Sequence, residues 1–220
     1  MIRALIFDFD GLILETEGPS YRSWEQVYRS FGFPLPFSTW ATIIGTSKGG
    51  FDPQQELERL VGGAVDWERV DSKRQEHERG LIEALPIQPG VEQYLKDARR
   101  LGLKTGLASS SSCRWVMGHL TQRGLVEYFD CIRGSDDVHR TKPDPELYLS
   151  VLKALGVRGD EAIALEDSPN GIRAAKKAGM YCVAVPNPLT RQLELSEADM
   201  QLESLGELPL EELLARFNLK

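Results

Sequence analysis

Short apolar segments alternate with helical segments along this chain, and this alternation constrains its fold more than any other feature. Residues 2–7 form a nearly continuous apolar run, which is typical of a parallel strand that is buried on both faces. Comparable segments follow at 103–108, 129–133, 162–165 and 181–185, with helical periodicity between them. Strands that alternate with helices in this way predict βαβ units and a parallel sheet, so the predicted fold class is α/β.

The stretch from residue 15 to residue 86 differs because its patterns are helical throughout. Aromatic and apolar side chains recur there at three- and four-residue steps before Gly32, and the pair Asp52-Pro53 is typical of the start of a further helix. A third, more polar helix is predicted from Trp67 onward. The predicted organisation is an all-helical insert at 15–86 in a core formed by 1–14 and 87–220.

Composition excludes several classes of function. The 220-residue chain has a formal net charge of -7, which argues against sequence-independent binding to nucleic acid. Neither a membrane-spanning apolar stretch nor the layout of a signal peptide occurs, and the three cysteines form no CxxC pair. These features predict a cytoplasmic protein with no nucleic-acid or membrane partner, and monomer is the default expectation.

Polar side chains follow several of the predicted strands. In open parallel sheets, ligands bind beyond the carboxyl ends of the strands, so side chains that leave those ends should meet at one edge. A lysine that precedes a predicted helix on the same side joins this group. The expected site comprises Asp8, Asp10, Ser109, Ser110, Lys142, Glu166 and Asp167.

The segment Asp8-Phe-Asp10-Gly11 is expected to turn just after the first strand. Side chains two residues apart on an extended strand point to the same face, and the apolar run ends before Asp8, so the strand should end near Asp8. Gly11 provides the backbone freedom for the turn. On this stretch alone, an acidic surface turn after a buried strand remains an alternative.

The expected group of side chains indicates a metal and a phosphoryl group. Clustered carboxylates repel one another unless a cation lies among them, and a shell of oxygen ligands suits Mg²⁺. A hydroxyl group, a lysine and a metal ion together suit a phosphoryl group, whose oxygens need several donors at once.

Four stretches carry a resemblance to a known family. They are Asp8-Phe-Asp10-Gly11, Leu-Ala-Ser109-Ser110-Ser111, Lys142-Pro-Asp-Pro and Glu166-Asp167-Ser168-Pro-Asn-Gly171. In this order and spacing, the chain resembles the haloacid dehalogenase superfamily, in the phosphatase and β-phosphoglucomutase-like branch with a helical cap. The resemblance implies a Rossmann-like core, with the helical insert as the cap.

The resemblance also implies catalytic roles. Asp8 would be the nucleophile that forms an aspartyl-phosphate, and Asp10 would be the general acid and then the general base. Ser109 and the amide of Ser110 would hold phosphate oxygens. Lys142 would neutralise both the phosphate and Asp8.

A Mg²⁺ site is implied in the same way. Its ligands would be the Asp8 carboxylate, the backbone carbonyl of Asp10 and Asp167, with Glu166 bound directly or through water. The cation would offset the repulsion between an anionic nucleophile and an anionic substrate.

The function expected from these features is hydrolysis of a small phosphorylated metabolite. Mutase relatives carry a histidine shortly after the first motif and two cations in a cap loop, whereas this chain has Gly-Pro-Ser at 18–20 and only Lys48 in the loop at 43–48. Lys48 is therefore a candidate substrate-binding residue. The alternatives are a sugar phosphomutase, a 2-haloacid dehalogenase and a catalytically silent binding protein.

Overall fold

Six strands form one parallel sheet in the computed structural model, which describes residues 1–45 and 50–218. The strands are β1 (Ala4–Phe7), β2 (Lys104–Ala108), β3 (Cys131–Arg133), β4 (Ala162–Glu166), β5 (Tyr181–Ala184) and β6 (Met200–Gln201). Their order across the sheet is β3-β2-β1-β4-β5-β6, and each neighbouring pair is parallel. This order is that of a Rossmann-like sheet, so the predicted α/β class is confirmed.

Five helices cover the two faces of the sheet: α5 (Val91–Arg100), α6 (Cys113–Gln122), α7 (Glu146–Leu155), α8 (Pro169–Lys177) and α9 (Leu210–Asn218). One apolar layer packs α5, α6 and α9 against one face, and the other packs α7 and α8 against the opposite face. Leu5 and Phe7 enter the first layer, whereas Ala4 and Ile6 enter the second. The apolar run of β1 is continuous because both of its faces are buried.

The sheet order brings the ends of three strands to one level. β1 lies between β2 and β4, and Phe7 is in register with Leu107 on one side and Leu165 on the other. The residues that follow these positions therefore leave the sheet side by side, although they are far apart in the sequence. Asp8 emerges at the centre of this edge.

The inserted helices have an apolar cluster of their own. They are α1 (Glu17–Ser30), α2 (Phe37–Trp40), α3 (Pro53–Val61) and α4 (Trp67–Glu83). The cluster is built around Trp24, Tyr28, Trp40 and Leu57. The inserted all-helical cap is thus confirmed as an element of the fold, while its limits at 15 and 86 stay a prediction.

Local signals fix most of the helix ends. The Asp52 carboxylate accepts the amides of Gln54 and Gln55 at the start of α3, as the Asp-Pro pair predicts. At the start of α7, Pro145 is the N-cap residue and the Asp144 carboxylate accepts the Glu146 amide. The short helix α2 was not predicted. Within the described residues, no helix has the length and apolar character needed to cross a membrane.

Candidate active site

Asp8 is paired with a buried lysine at the carboxyl edge of the sheet. Lys142 Nζ lies 2.5 Å from Asp8 Oδ1 and 2.6 Å from Glu166 Oε1. Only 1% of Lys142 is exposed, and Asp8 and Glu166 are buried as well. Side chains from three distant parts of the sequence therefore meet in one arrangement, as the strand-end rule predicts.

The charges of this group depend on one another. Burial raises the pKa of Asp8 to about 7, although Lys142 opposes the rise, and the nearby carboxylates of Glu166 and Asp10 add to it. Burial alone would lower the pKa of Lys142, but the two carboxylates that it contacts outweigh that effect and raise it. Lys142 thus remains a cation next to the candidate nucleophile, and a further cation nearby would favour the ionised form of Asp8.

Both oxygens of Glu166 are already engaged by donors. Tyr148 donates its hydroxyl to Oε1 at 2.6 Å, beside the lysine. The amides of Asp167 and Ser168 and the Ser168 hydroxyl donate to Oε2. With both oxygens engaged, Glu166 is better suited to holding Lys142 in place than to binding a metal directly. Direct binding of a metal by Glu166 stays a prediction.

Asp167 has one buried oxygen that accepts no hydrogen bond from the described residues. This atom is Oδ1, while Oδ2 accepts the side-chain amide of Asn187 at 2.8 Å. Ligand oxygens of Asp8, Glu166 and Asp167 all lie within 4.8 Å of one another. Burial and the charge of Asp8 raise the pKa of Asp167 well above its ordinary value. An unpaired buried carboxylate oxygen inside such a cluster fits a bound divalent cation.

Two glycines allow the acidic residues to come this close. Gly11 has a φ of +89°, and a Cβ there would overlap the Asp167 carboxylate. A Cβ on Gly171 would overlap the Glu166 carboxylate.

The turn predicted at Gly11 is present, and Asp8 and Asp10 line the same cavity of about 420 Å³. The acidic surface turn is thus excluded as an account of this segment.

Among the residues that the structure describes, four donors hold the Asp10 carboxylate. Thr16 Oγ1 and Trp115 Nε1 lie 2.7 and 3.0 Å from Oδ1, respectively. Ser111 Oγ and Ser109 Oγ lie 2.7 and 3.2 Å from Oδ2. Ser109, a candidate phosphate-binding residue, is therefore in the site and contacts Asp10 here.

The cap contacts the core beside this cavity. Ser110, the other candidate for holding phosphate, donates its hydroxyl to the Gly45 carbonyl at 3.1 Å, and Asn170 donates its side-chain amide to the Ile44 carbonyl at 2.8 Å. Glu17 also lines the cavity, where burial and the charges of Asp10 and Asp8 raise its pKa to about 8. The candidate residue Lys48 lies outside the described residues.

Several residues of the site were missed from the sequence. Asn187 follows β5, so the strand-end rule could have indicated it. Tyr148 and Trp115 lie on helices where aromatic residues at helical spacing indicate a packed core, and no local signal distinguishes them. Thr16 could have been found only from its nearness to Asp10 in the sequence.

Metal binding at Asp167 can be tested without an activity assay. Mg²⁺ at about 100 times its dissociation constant should stabilise the folded state by about 2.7 kcal/mol, which is about 5–10 °C in Tm for a chain of this size. In Asp167→Asn, this rise should be lost because the amide lacks the anionic ligand. The exposed Asp160→Asn is a matched control that should keep it. If Mg²⁺ raised the Tm of Asp167→Asn as much as that of the wild type, a metal-binding role for Asp167 would be contradicted.

The fold and the site define an α/β protein with a cluster of buried carboxylates at the end of its central strand, and comparisons with known proteins identify the family. The model of the family described as haloacid dehalogenase-like hydrolase matches residues 5–185. The chain is 48% identical over 99% of both chains to YhcW of Bacillus subtilis, which carries a provisional assignment as a phosphatase. It is 31% identical, over 81% of this chain and 82% of the relative, to a phosphorylated carbohydrates phosphatase of Thermotoga maritima.

Solved structures agree with this match. CbbY from Rhodobacter sphaeroides in complex with phosphate has a TM-score of 0.75 at 29% identity, covering 94% of this chain and 96% of that one. A β-phosphoglucomutase from Clostridium difficile has a TM-score of 0.78 at 26% identity, covering 100% of this chain and 98% of that one. The chain belongs to the haloacid dehalogenase-like hydrolases, in the phosphatase and β-phosphoglucomutase-like branch. Its enzyme class, phosphomonoester hydrolase, is the one that the motifs indicated.

Proposed function

We propose that this protein is a Mg²⁺-dependent phosphatase that hydrolyses a small phosphorylated carbohydrate through an aspartyl-phosphate at Asp8. The observation that carries the proposal is the buried contact of 2.5 Å between Lys142 and Asp8, a residue that also lines the cavity. A carboxylate that a cation holds beside a cavity is available as a nucleophile.

Each residue has a defined part in the reaction. Asp8 Oδ attacks phosphorus while the bond from phosphorus to the ester oxygen breaks, and Asp10 gives that oxygen a proton. Asp10 then accepts a proton from the water that attacks phosphorus, which releases phosphate and restores Asp8. Lys142 and Ser109 stabilise the charge on the phosphoryl oxygens.

Asp8, Asp167 and the Asp10 carbonyl would hold the Mg²⁺ ion, with Glu166 as a direct or water-linked neighbour. When bound, the ion supplies positive charge that reduces the repulsion between nucleophile and substrate. The unpaired Asp167 oxygen supports this part of the proposal.

Relatives support a carbohydrate phosphate as substrate. Besides the Thermotoga maritima protein, a relative that is 30% identical over 97% of both chains is a hexitol phosphatase of Escherichia coli. A sugar phosphomutase is the second candidate, because β-phosphoglucomutases are among the similar structures. Residues 18–20 read Gly-Pro-Ser and hold no histidine, which favours the hydrolase.

A phosphate-release screen tests the proposed function. It would compare sugar phosphates, phosphoglycolate, nucleotides and p-nitrophenyl phosphate, each with Mg²⁺ and with excess chelator. We expect Mg²⁺-dependent release of phosphate, fastest from a carbohydrate phosphate. Isomerisation of a hexose 1-phosphate without net release would favour the mutase, and activity on 2-haloacids that survives chelation would favour a dehalogenase. No turnover of any phosphate ester would contradict the proposal.

A further inference from the structure

Three side chains at four-residue spacing form a row along one face of α6. The row consists of Trp115, His119 and Arg123, where Arg123 is the C-cap residue of the helix. The rings of Trp115 and His119 make an edge-to-face contact with centroids 4.3 Å apart, and an Arg123 nitrogen lies 3.3 Å from His119 Nδ1. Residues four apart on a helix are neighbours on its surface, so these contacts follow from the spacing.

The two ends of the row reach different parts of the molecule. At one end, Trp115 donates its indole N–H to Asp10 Oδ1 at 3.0 Å. At the other end, Arg123 donates to the carbonyls of Ile82 and Leu85, both at 3.3 Å, where the chain returns from the cap to the core. One helix face therefore connects the candidate general acid with the cap's return segment.

Trp115 also lines two cavities. One is the cavity of about 420 Å³ that Asp8 and Asp10 line. The other, of about 390 Å³, is bounded by the end of α4 and by α6. Trp115 is partly buried against the apolar core, and its hydrogen bond to Asp10 and its contact with His119 further fix its position. His119 is in turn stacked on Phe9, the residue between the two aspartates.

Trp115 differs from the other donors to Asp10. The hydroxyl groups of Thr16 and Ser111 can rotate and can act as acceptors, whereas an indole N–H is a donor only and has a direction fixed by the ring. A rigid donor determines where the carboxyl group lies, while the hydroxyls adapt to it.

We propose that Trp115 is a positioning residue that orients the Asp10 carboxyl group for proton transfer, and that the row through His119 and Arg123 ties this orientation to the cap. The inference rests on the proposed function, in which Asp10 protonates the ester oxygen. It assigns no contact between Trp115 and the reacting atoms.

The consequence should depend on the leaving group. When an alkyl ester is cleaved, the bond from phosphorus to Asp8 forms, the ester bond breaks, and the departing alkoxide needs the proton of Asp10. A p-nitrophenolate is stable as an anion and can leave without that proton. Because kcat/KM reports the steps up to this first cleavage, a misoriented Asp10 should lower kcat/KM for alkyl esters selectively.

Trp115→Phe tests this, since it removes the N–H and keeps an aromatic ring. With the carbohydrate phosphate that the wild type cleaves fastest, kcat/KM should fall about 10- to 100-fold, which is at or below the lower end of the about 10²–10⁴-fold that a general acid contributes. With p-nitrophenyl phosphate, the fall in kcat/KM should be at least about tenfold smaller. The kcat for p-nitrophenyl phosphate should still fall in this variant, because hydrolysis of the aspartyl-phosphate uses Asp10 as a base. A burst of one p-nitrophenolate per enzyme should therefore precede slow turnover.

Trp67→Phe is the matched control. Trp67 lies in the cap and donates its indole N–H to Glu58 at 2.6 Å, so the same group is lost from the same kind of bond. This variant should keep the wild-type ratio of the two kcat/KM values and show no burst.

A double-mutant comparison separates positioning from a general loss of structure. If Trp115 acts through Asp10, adding Trp115→Phe to Asp10→Ala should leave the remaining kcat/KM for the alkyl ester unchanged. If Trp115 has an independent structural effect, the losses of kcat/KM in the two single variants should multiply in the double variant. Equal losses of kcat/KM for both esters, or a multiplicative double variant, would overturn the inference. If the wild type itself shows no Mg²⁺-dependent cleavage of either ester, the proposed function fails instead.

Discussion

Replacing Asp8 by asparagine is expected to abolish turnover of phosphate esters while the protein stays folded. Loss of a nucleophile that works with neighbouring groups should lower kcat by at least about 10⁴-fold. The amide oxygen can still accept from Lys142, and Glu166 still balances the charge of that lysine. Phosphate release and the melting temperature, measured on the same preparation, check both parts of this expectation.

Asp160→Asn is the matched control for this variant, because it makes the same chemical change at an exposed residue that is paired with Arg158. It should keep wild-type turnover. If Asp8→Asn retained more than about one hundredth of the wild-type kcat, a nucleophilic role would be contradicted, because that residual rate exceeds what a loss of this kind leaves.

Replacing Lys142 by methionine is expected to reduce both activity and stability. The substitution leaves Asp8 and Glu166 buried side by side without their cation, and removing one partner of a buried ion pair typically destabilises a protein by about 3–5 kcal/mol. Turnover should fall about 10²–10³-fold, as when one donor of a charge-stabilising site is lost. Denaturant unfolding and phosphate release provide the two measurements.

A second variant separates the two effects of Lys142. In Lys142→Met with Glu166→Gln, one buried negative charge is removed together with the positive one. The amide oxygen can take the place of Oε2 and accept the amides of Asp167 and Ser168, and the amide nitrogen can donate to the Tyr148 hydroxyl. Much of the lost stability should return, whereas the activity should not. A double variant that is less stable than Lys142→Met alone would contradict the view that the lysine is held by mutual charge compensation.

The strand-end rule allowed much of this site to be predicted from the sequence. Asp8 and Ser109 follow two buried strands and Glu166 ends a third, and strand alternation alone indicates that such residues meet at one edge. The rule depends on backbone topology, which the apolar pattern encodes well. The Asp52-Pro53 pair likewise predicted the start of a helix, because capping is a local interaction.

Interactions that depend on side-chain packing could not be predicted. Tyr148 and Trp115 belong to apolar helix faces, and their polar ends are oriented by neighbours distant in the sequence. The donors that engage Glu166 Oε2 arise from the turn into α8, whose geometry the sequence does not specify in that detail. The short helix α2 was missed because four residues are too few to show a helical period.

The central claim is that Asp8 becomes phosphorylated during turnover, and chemical trapping tests it most directly. The enzyme would be mixed with excess substrate and Mg²⁺, quenched in acid and treated with borohydride, which reduces an acyl phosphate to an alcohol. Peptide mass spectrometry should then find homoserine at position 8, only when substrate is present and never in Asp8→Asn. An unmodified Asp8 in an enzyme that is turning over under these conditions, or reduction at another carboxylate, would contradict the account.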